Sequence, residues 1–191
     1  MKIYDNLLTD VEQDELEKVF MSPGFPWYWV DEEGSYTSAK KWQKIYADKN
    51  TKETKLMAHT FYNFSEVQSD AFPIIEKLLY KFLERTKQTY ARIFRCKINL
   101  QYNNPNYPEN SYVCPHIDMA NQKHNVLLYY PINSDGNTIF FKNKDRENLI
   151  IEKEVKPKKG RFILFDGNTM HSNRPPKISE TRMTINYNIG Q

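Results

Sequence analysis

The sequence predicts a mainly β fold flanked by helices, and three observations carry that reading. Aromatics are abundant, with 13 Tyr, 11 Phe and 3 Trp in 191 residues, a composition that suits pleated, half-buried surfaces. Beyond residue 90 the hydrophobic period becomes two, in short runs separated by Asn-, Asp-, Pro- and Gly-bearing turns, as in a jelly roll or barrel. Before residue 90, two segments keep the helical period instead. The length suits one domain with a substantial core. We divide it into helical and irregular support over 1–89 and a jelly-roll core over 90–191.

Taken in order, Thr9-Asp10-Val11-Glu12 is a capping box that opens a helix. Leu8, Val11, Leu16, Val19 and Phe20 follow at helical spacing, and Ser22-Pro23-Gly24 stops it. Phe25 to Val30 is aromatic-rich and is expected to be a strand covering a core. Residues 31–54 are charged without clean periodicity, a long connection of the kind that serves as a lid. Leu56 to Phe64 is an expected strand, and its His59 is expected to be structural. A second helix is expected over 69–86, with Phe72, Ile75, Leu78, Leu79, Phe82 and Leu83 as its buried stripe and Pro73 tolerated in the first turn.

From 91 to 102, Phe94, Cys96, Ile98, Leu100 and Tyr102 share one face and Arg95, Lys97, Asn99 and Gln101 the other. Further strands are expected at 112–118, 125–131, 138–142, 149–155, 161–165 and 181–189. Lys156, Lys158 and Lys159 are expected at a solvated hairpin tip. The net charge of +3 is too mild and dispersed to indicate nucleic acid. Cys96 and Cys114 have no metal-type spacing. With no secretory leader at Met1-Lys2-Ile3-Tyr4-Asp5, they favour a cytoplasmic protein. No apolar run reaches membrane length.

The chemistry centres on His116-Ile117-Asp118. In an extended strand these two side chains share a face about 7 Å apart, within reach of one metal ion. His171, at the end of the apolar run 161–165 and its turn, is the candidate third ligand. Two histidines and a carboxylate with open positions are the set used by non-haem Fe(II) oxygenases. His124 competes as a ligand but has no partner two residues away, and neither HExxH nor CxxC points to zinc. In 181–189, Arg182, Thr184, Asn186 and Asn188 form one stripe and Met183, Ile185, Tyr187 and Ile189 the other. An arginine leading a polar stripe suggests a carboxylate pocket, because its planar fork donates two parallel bonds. Arg174 and Lys177 are alternative carboxylate partners.

The ordered set His116-x-Asp118, His171 and Arg182 resembles the 2-oxoglutarate/Fe(II)-dependent dioxygenases, nearest the prolyl 4-hydroxylase branch. Asn99-Leu100-Gln101-Tyr102 and the hairpin from Leu127-Leu128-Tyr129-Tyr130 to Gly136-Asn137-Thr138-Ile139-Phe140 extend the likeness. The resemblance covers about Tyr90 to the C-terminus. It implies a double-stranded β-helix with Fe(II) on His116, Asp118 and His171 and with 2-oxoglutarate as cosubstrate. Arg182 would take the C5 carboxylate; Tyr102 and Tyr130 would hydrogen-bond the cosubstrate, with help from Thr184. Ascorbate is a candidate accessory cofactor. The implied reaction decarboxylates 2-oxoglutarate to succinate and CO2 and hydroxylates a C–H bond of a peptide, a prolyl residue foremost, or of a small molecule. Two other readings are a non-catalytic metal- or ligand-binding jelly roll and a nucleic-acid-directed oxygenase.

Overall fold

The computed structural model describes residues 1–30, 50–52, 54–119, 122–145 and 148–190. The expected lid over 31–54 therefore lies almost wholly outside the described residues. Helix α1 (Asp10–Phe20) starts as its sequence requires. The Thr9 hydroxyl accepts from the Glu12 N–H, and the Glu12 carboxylate accepts from the Thr9 N–H, so two otherwise orphaned donors are satisfied. Helix α2 (Phe72–Thr86) carries its proline in the first turn and ends at Lys87 in the left-handed region. Lys81 and Arg85 of α2 both pair with Glu12 and so tie the helices together. Among the described residues, no helix is long and apolar enough to cross a membrane.

The strands are β1 (Lys2–Tyr4), β2 (Tyr28–Val30), β3 (Leu56–Asn63), β4 (Glu66–Val67), β5 (Arg92–Tyr102), β6 (Asn125–Tyr129), β7 (Thr138–Phe141), β8 (Ile151–Val155), β9 (Phe162–Asp166), β10 (His171–Asn173) and β11 (Thr181–Gly190). An eight-stranded sheet runs β1-β9-β6-β11-β5-β3-β2, with β4 paired to β3. A smaller sheet runs β10-β7-β8. All named pairings are antiparallel. Residues 1–89 thus do more than brace the core, since they contribute β1 to β4 to the large sheet.

Period-two alternation sorts the large sheet's side chains into two layers. Cys96, Ile98 and Leu100 of β5, Leu127 and Tyr129 of β6, Phe162 and Leu164 of β9, and Met183, Ile185 and Tyr187 of β11 pack with Leu16, Phe20, Phe72, Ile75, Leu79 and Phe82 of the helices. Phe82 meets Phe162 at 5.1 Å between ring centroids, and the Tyr187 hydroxyl donates to the Ile75 carbonyl at 2.9 Å. On the opposite face Val126, Leu128, Tyr130, Ile163 and Phe165 pack against Phe140 and Val155 of the small sheet. The result is helices, large sheet and small sheet in sequence.

Three expectations need correction. The stretch 112–118 is not a strand; it makes isolated bridges only, at Tyr112 with Thr51 and at His116 with His171. Pro115 interrupts it, lacking the N–H that a ladder needs. Secondly, β1, β4 and β10 lie where no strand was expected; they are two or three residues long, below the length at which periodicity is visible. Thirdly, Lys159 is not at a solvated tip. It pairs with Asp14 and Glu17 of α1, while Lys158 approaches Asp5 at 3.8 Å.

Candidate metal centre

The residues around His116 run antiparallel to β10. His116 N–H donates to the His171 carbonyl at 2.9 Å and His171 N–H donates back at 3.1 Å. Val113 N–H continues the pairing to the Asn173 carbonyl at 2.9 Å. This reciprocal bridge does what a strand was expected to do and sets the two imidazoles side by side, with ring centroids 4.6 Å apart. His171 enters β10 from a tight turn in which Thr169 N–H donates to the Asp166 carbonyl. Phe165 and Phe140 pack on its ring at 5.1 and 6.5 Å.

Asp118 completes the group. One ligand atom from each of His116, Asp118 and His171 falls within 4.8 Å of the others, the one such cluster of three among the described residues that could hold a metal ion. The ring tautomers suit that purpose. Nδ1 of His116 lies 3.1 Å from the Cys114 carbonyl, and Nδ1 of His171 lies 3.0 Å from the Thr169 carbonyl. A carbonyl can only accept, so each Nδ1 carries the hydrogen and each Nε2 keeps its lone pair. Burial, reinforced by the neighbouring His116, pushes His171 down to about 4, so it is a neutral donor near pH 7. Burial would raise the Asp118 carboxyl, but the charge and donors that face it, the Arg95 guanidinium among them, hold it well below the carboxylate range. Two imidazole nitrogens and one anionic oxygen are the donor set expected for Fe(II).

The polar stripe of β11 runs from this cluster along the floor of the site. Asn186 and Asn188 touch Asp118 Oδ2 at 2.9 and 2.8 Å. Four residues away, about 14 Å of strand, Arg182 is buried. Its Nε donates to the Gly136 carbonyl at 2.7 Å, its Nη1 to Gln101 at 3.2 Å and its Nη2 to the Thr138 hydroxyl at 2.8 Å. The Tyr130 hydroxyl lies 2.6 Å from the same Thr138 oxygen. Burial raises its pKa, so it stays protonated. Thr184 is buried two residues from Arg182, opposite Asn99. Gly136 permits the close approach: a Cβ there would lie 2.8 Å from Arg182 Cδ and 2.6 Å from the Arg174 carbonyl.

Tyr102 is not brought to this group. It belongs to the opposite face of β5, is half exposed, and its hydroxyl contacts Met57 Sδ at 3.7 Å. Gln101, opposite Arg182 in the β5–β11 register, occupies the site side instead. The alternation already placed Tyr102 among the apolar residues; the resemblance alone assigned it to the cosubstrate. Arg174 and Lys177, the alternatives to Arg182, pair with Glu154 at 2.5 Å and Glu109 at 2.9 Å. His124 packs against Gly167 and is not part of the cluster. His59 Nδ1 donates to the Pro26 carbonyl, 2.8 Å away, in a nest of aromatic rings. Sequence reasoning gave no role to Arg95, Gln101, Gly136, Thr138, Asn186 or Asn188. Their signal was their place on the polar faces of 91–102 and 181–189 and in the intervening hairpin.

Residues 100–190, which contain every member of the triad and the Arg182 pocket, match the 2OG-Fe(II) oxygenase superfamily. A search of curated proteins returned no sequence match. Solved structures share the fold. An oxidoreductase of the 2OG-Fe(II) oxygenase family from Burkholderia pseudomallei has a TM-score of 0.64 at 12% identity, over 96% of this chain and 81% of its own. A prolyl hydroxylase from Trichoplax adhaerens, in complex with a hypoxia inducible factor peptide fragment, has a TM-score of 0.57 at 14% identity, over 99% and 82%. The alpha ketoglutarate dependent epimerase SnoN from nogalamycin biosynthesis has a TM-score of 0.60 at 11% identity, over 98% and 76%. The fold, the donor set and the match over residues 100–190 agree in pointing to an iron- and 2-oxoglutarate-dependent dioxygenase similar to the 2OG-Fe(II) oxygenase superfamily.

Proposed function

We propose that this dioxygenase hydroxylates a C–H bond of a peptidyl residue, proline foremost. One dioxygen would be divided between the new hydroxyl and succinate as 2-oxoglutarate loses CO2. The observation that supports the site most strongly is the convergence of two carbonyl-oriented imidazoles and one ionised carboxylate within 4.8 Å. His116, Asp118 and His171 would hold Fe(II), which with its cosubstrate supplies the dioxygen chemistry.

The chain's residues do the rest. Arg182 would grip the C5 carboxylate of 2-oxoglutarate, its guanidinium fixed in advance by Gly136, Gln101 and Thr138. Tyr130 positions Thr138 from the far side, and Thr184 lines the same stripe. The apolar seam formed by Phe140, Phe165 and their neighbours keeps water from the buried face of His171. Tyr102 is given no part.

The peptide reading draws on the Trichoplax adhaerens enzyme, whose complex contains a peptide fragment. SnoN, which shares the fold, favours a second reading in which the substrate is a small molecule. A panel of proline-containing peptides and of small cyclic metabolites, incubated with Fe(II), 2-oxoglutarate and air, separates the two. A peptide that gains one oxygen with stoichiometric succinate supports the first. Oxygen gain or stereochemical inversion only in the small molecules supports the second.

A further inference from the structure

We propose that Asn186 and Asn188 are positioning residues that clamp Asp118 so that it offers a metal ion one oxygen, Oδ1, and not both. The inference rests on the iron-site reading above and goes beyond it by assigning work to two residues that would not themselves touch the metal. Both amides donate to the same atom, Asp118 Oδ2, at 2.9 and 2.8 Å. Asp118 Oδ1 is the atom that faces the histidine side, 3.6 Å from His116 Nε2, and it accepts from Arg95 Nη2 at 3.4 Å, a longer contact than either amide makes to Oδ2. Both asparagines and the carboxylate are buried.

The amide orientations are fixed by chemistry. The Arg95 guanidinium can only donate, and its Nε lies 3.0 Å from one end of the Asn188 amide. That end must be the oxygen, so the nitrogen faces Asp118. The second hydrogen of that nitrogen reaches the Asn186 oxygen at 3.2 Å, which turns the Asn186 nitrogen toward Asp118 as well. A directed chain therefore runs from Arg95 through Asn188 and Asn186 to Oδ2. With two N–H groups on it, Oδ2 has little capacity left for a cation. A single-oxygen carboxylate keeps the third open coordination position that cosubstrate and dioxygen need together.

The test is a Mn(II) titration of the intact chain by calorimetry. The unaltered protein is compared with His171→Ala, Asn186→Leu and Asn188→Leu, leucine being close to asparagine in shape but without a donor. Mn(II) binding that is lost in His171→Ala and weakened about 10- to 100-fold in each leucine variant is the expected result. The visible spectrum of the Co(II)-loaded leucine variants should also shift, reporting an altered coordination number, which a purely structural role for the amides would leave unmoved. Unchanged affinity and an unchanged Co(II) spectrum in the leucine variants, with binding still lost in His171→Ala, overturns the clamp and leaves the iron site standing. Binding unaffected by His171→Ala overturns both. Should a leucine variant fail to fold, the matching serine variant, too short to reach Oδ2, is read in the same way.

Discussion

The two faces of β11 share a backbone and a depth of burial and differ in chemistry. Met183, Ile185, Tyr187 and Ile189 face the helices in an apolar layer. Arg182, Thr184, Asn186 and Asn188 face the small sheet and are equally buried, yet all are polar. Burying polar groups is tolerable only when they are paired. Here Arg182 is held by three acceptors and the asparagines by Asp118, Arg95 and one another. One face supplies stability, and the other keeps a polar site in fixed geometry. Buried polarity concentrated on one side of a strand, with its hydrogen bonds converging on a carboxylate, marks where the chemistry is.

Substitutions should therefore separate cleanly by face. The largest effect is expected from His171→Ala or His116→Ala, which should reduce succinate formation to background while the chain stays folded by circular dichroism. On the helix face, Ile185→Ala should cost about 2–5 kcal/mol of stability in denaturant unfolding and leave metal affinity in the surviving folded protein unchanged. A parallel loss of metal affinity would show that the faces are not independent. Back on the site face, Arg182→Ala should raise the apparent KM for 2-oxoglutarate ten- to a hundredfold, since a charge-assisted pair contributes about 1.5–3 kcal/mol. An unchanged KM would reject its role.

Smaller effects belong to the supports. Asp135 accepts the backbone N–H groups of Lys177, Ile178 and Ser179 and so anchors the loop that delivers β11. Burial opposes ionisation there, but those N–H donors hold its pKa at about 2. The folded value lies below the unfolded one, so the anchoring is complete above about pH 4 and lost as pH falls toward 2. Asp135→Asn should lower Tm near neutrality and flatten the Tm–pH curve across that window. Least of all, Thr9→Ala should cost about 1 kcal/mol by removing the α1 cap, with no change in KM.

Much of this was legible from the residues. The clean alternation in 91–102 and 181–189 placed both faces of the central strands, because a period of two leaves little ambiguity when each face is wholly polar or wholly apolar. The capping box at Thr9 and Glu12 and the helical stripe from Phe72 to Phe82 were equally plain. What could not be read depends on partners distant in the chain. His171-Ser172-Asn173 has no apolar rhythm and is a strand only because Phe140, Ile139 and Thr138 lie opposite. His116 and His171 meet through a two-bond bridge that no local pattern announces. Gln101, next to the tyrosine that the family likeness favoured, reaches Arg182 because the β5–β11 register places it there.

The most direct measurement is the visible difference spectrum of the anaerobic protein with Fe(II) and 2-oxoglutarate. If His116, Asp118 and His171 hold the iron, a weak charge-transfer band appears in the unaltered chain, is absent in His171→Ala, and appears in Arg182→Ala only at higher 2-oxoglutarate. A band of equal intensity in His171→Ala, or none in the unaltered chain with both components saturating, would contradict that assignment.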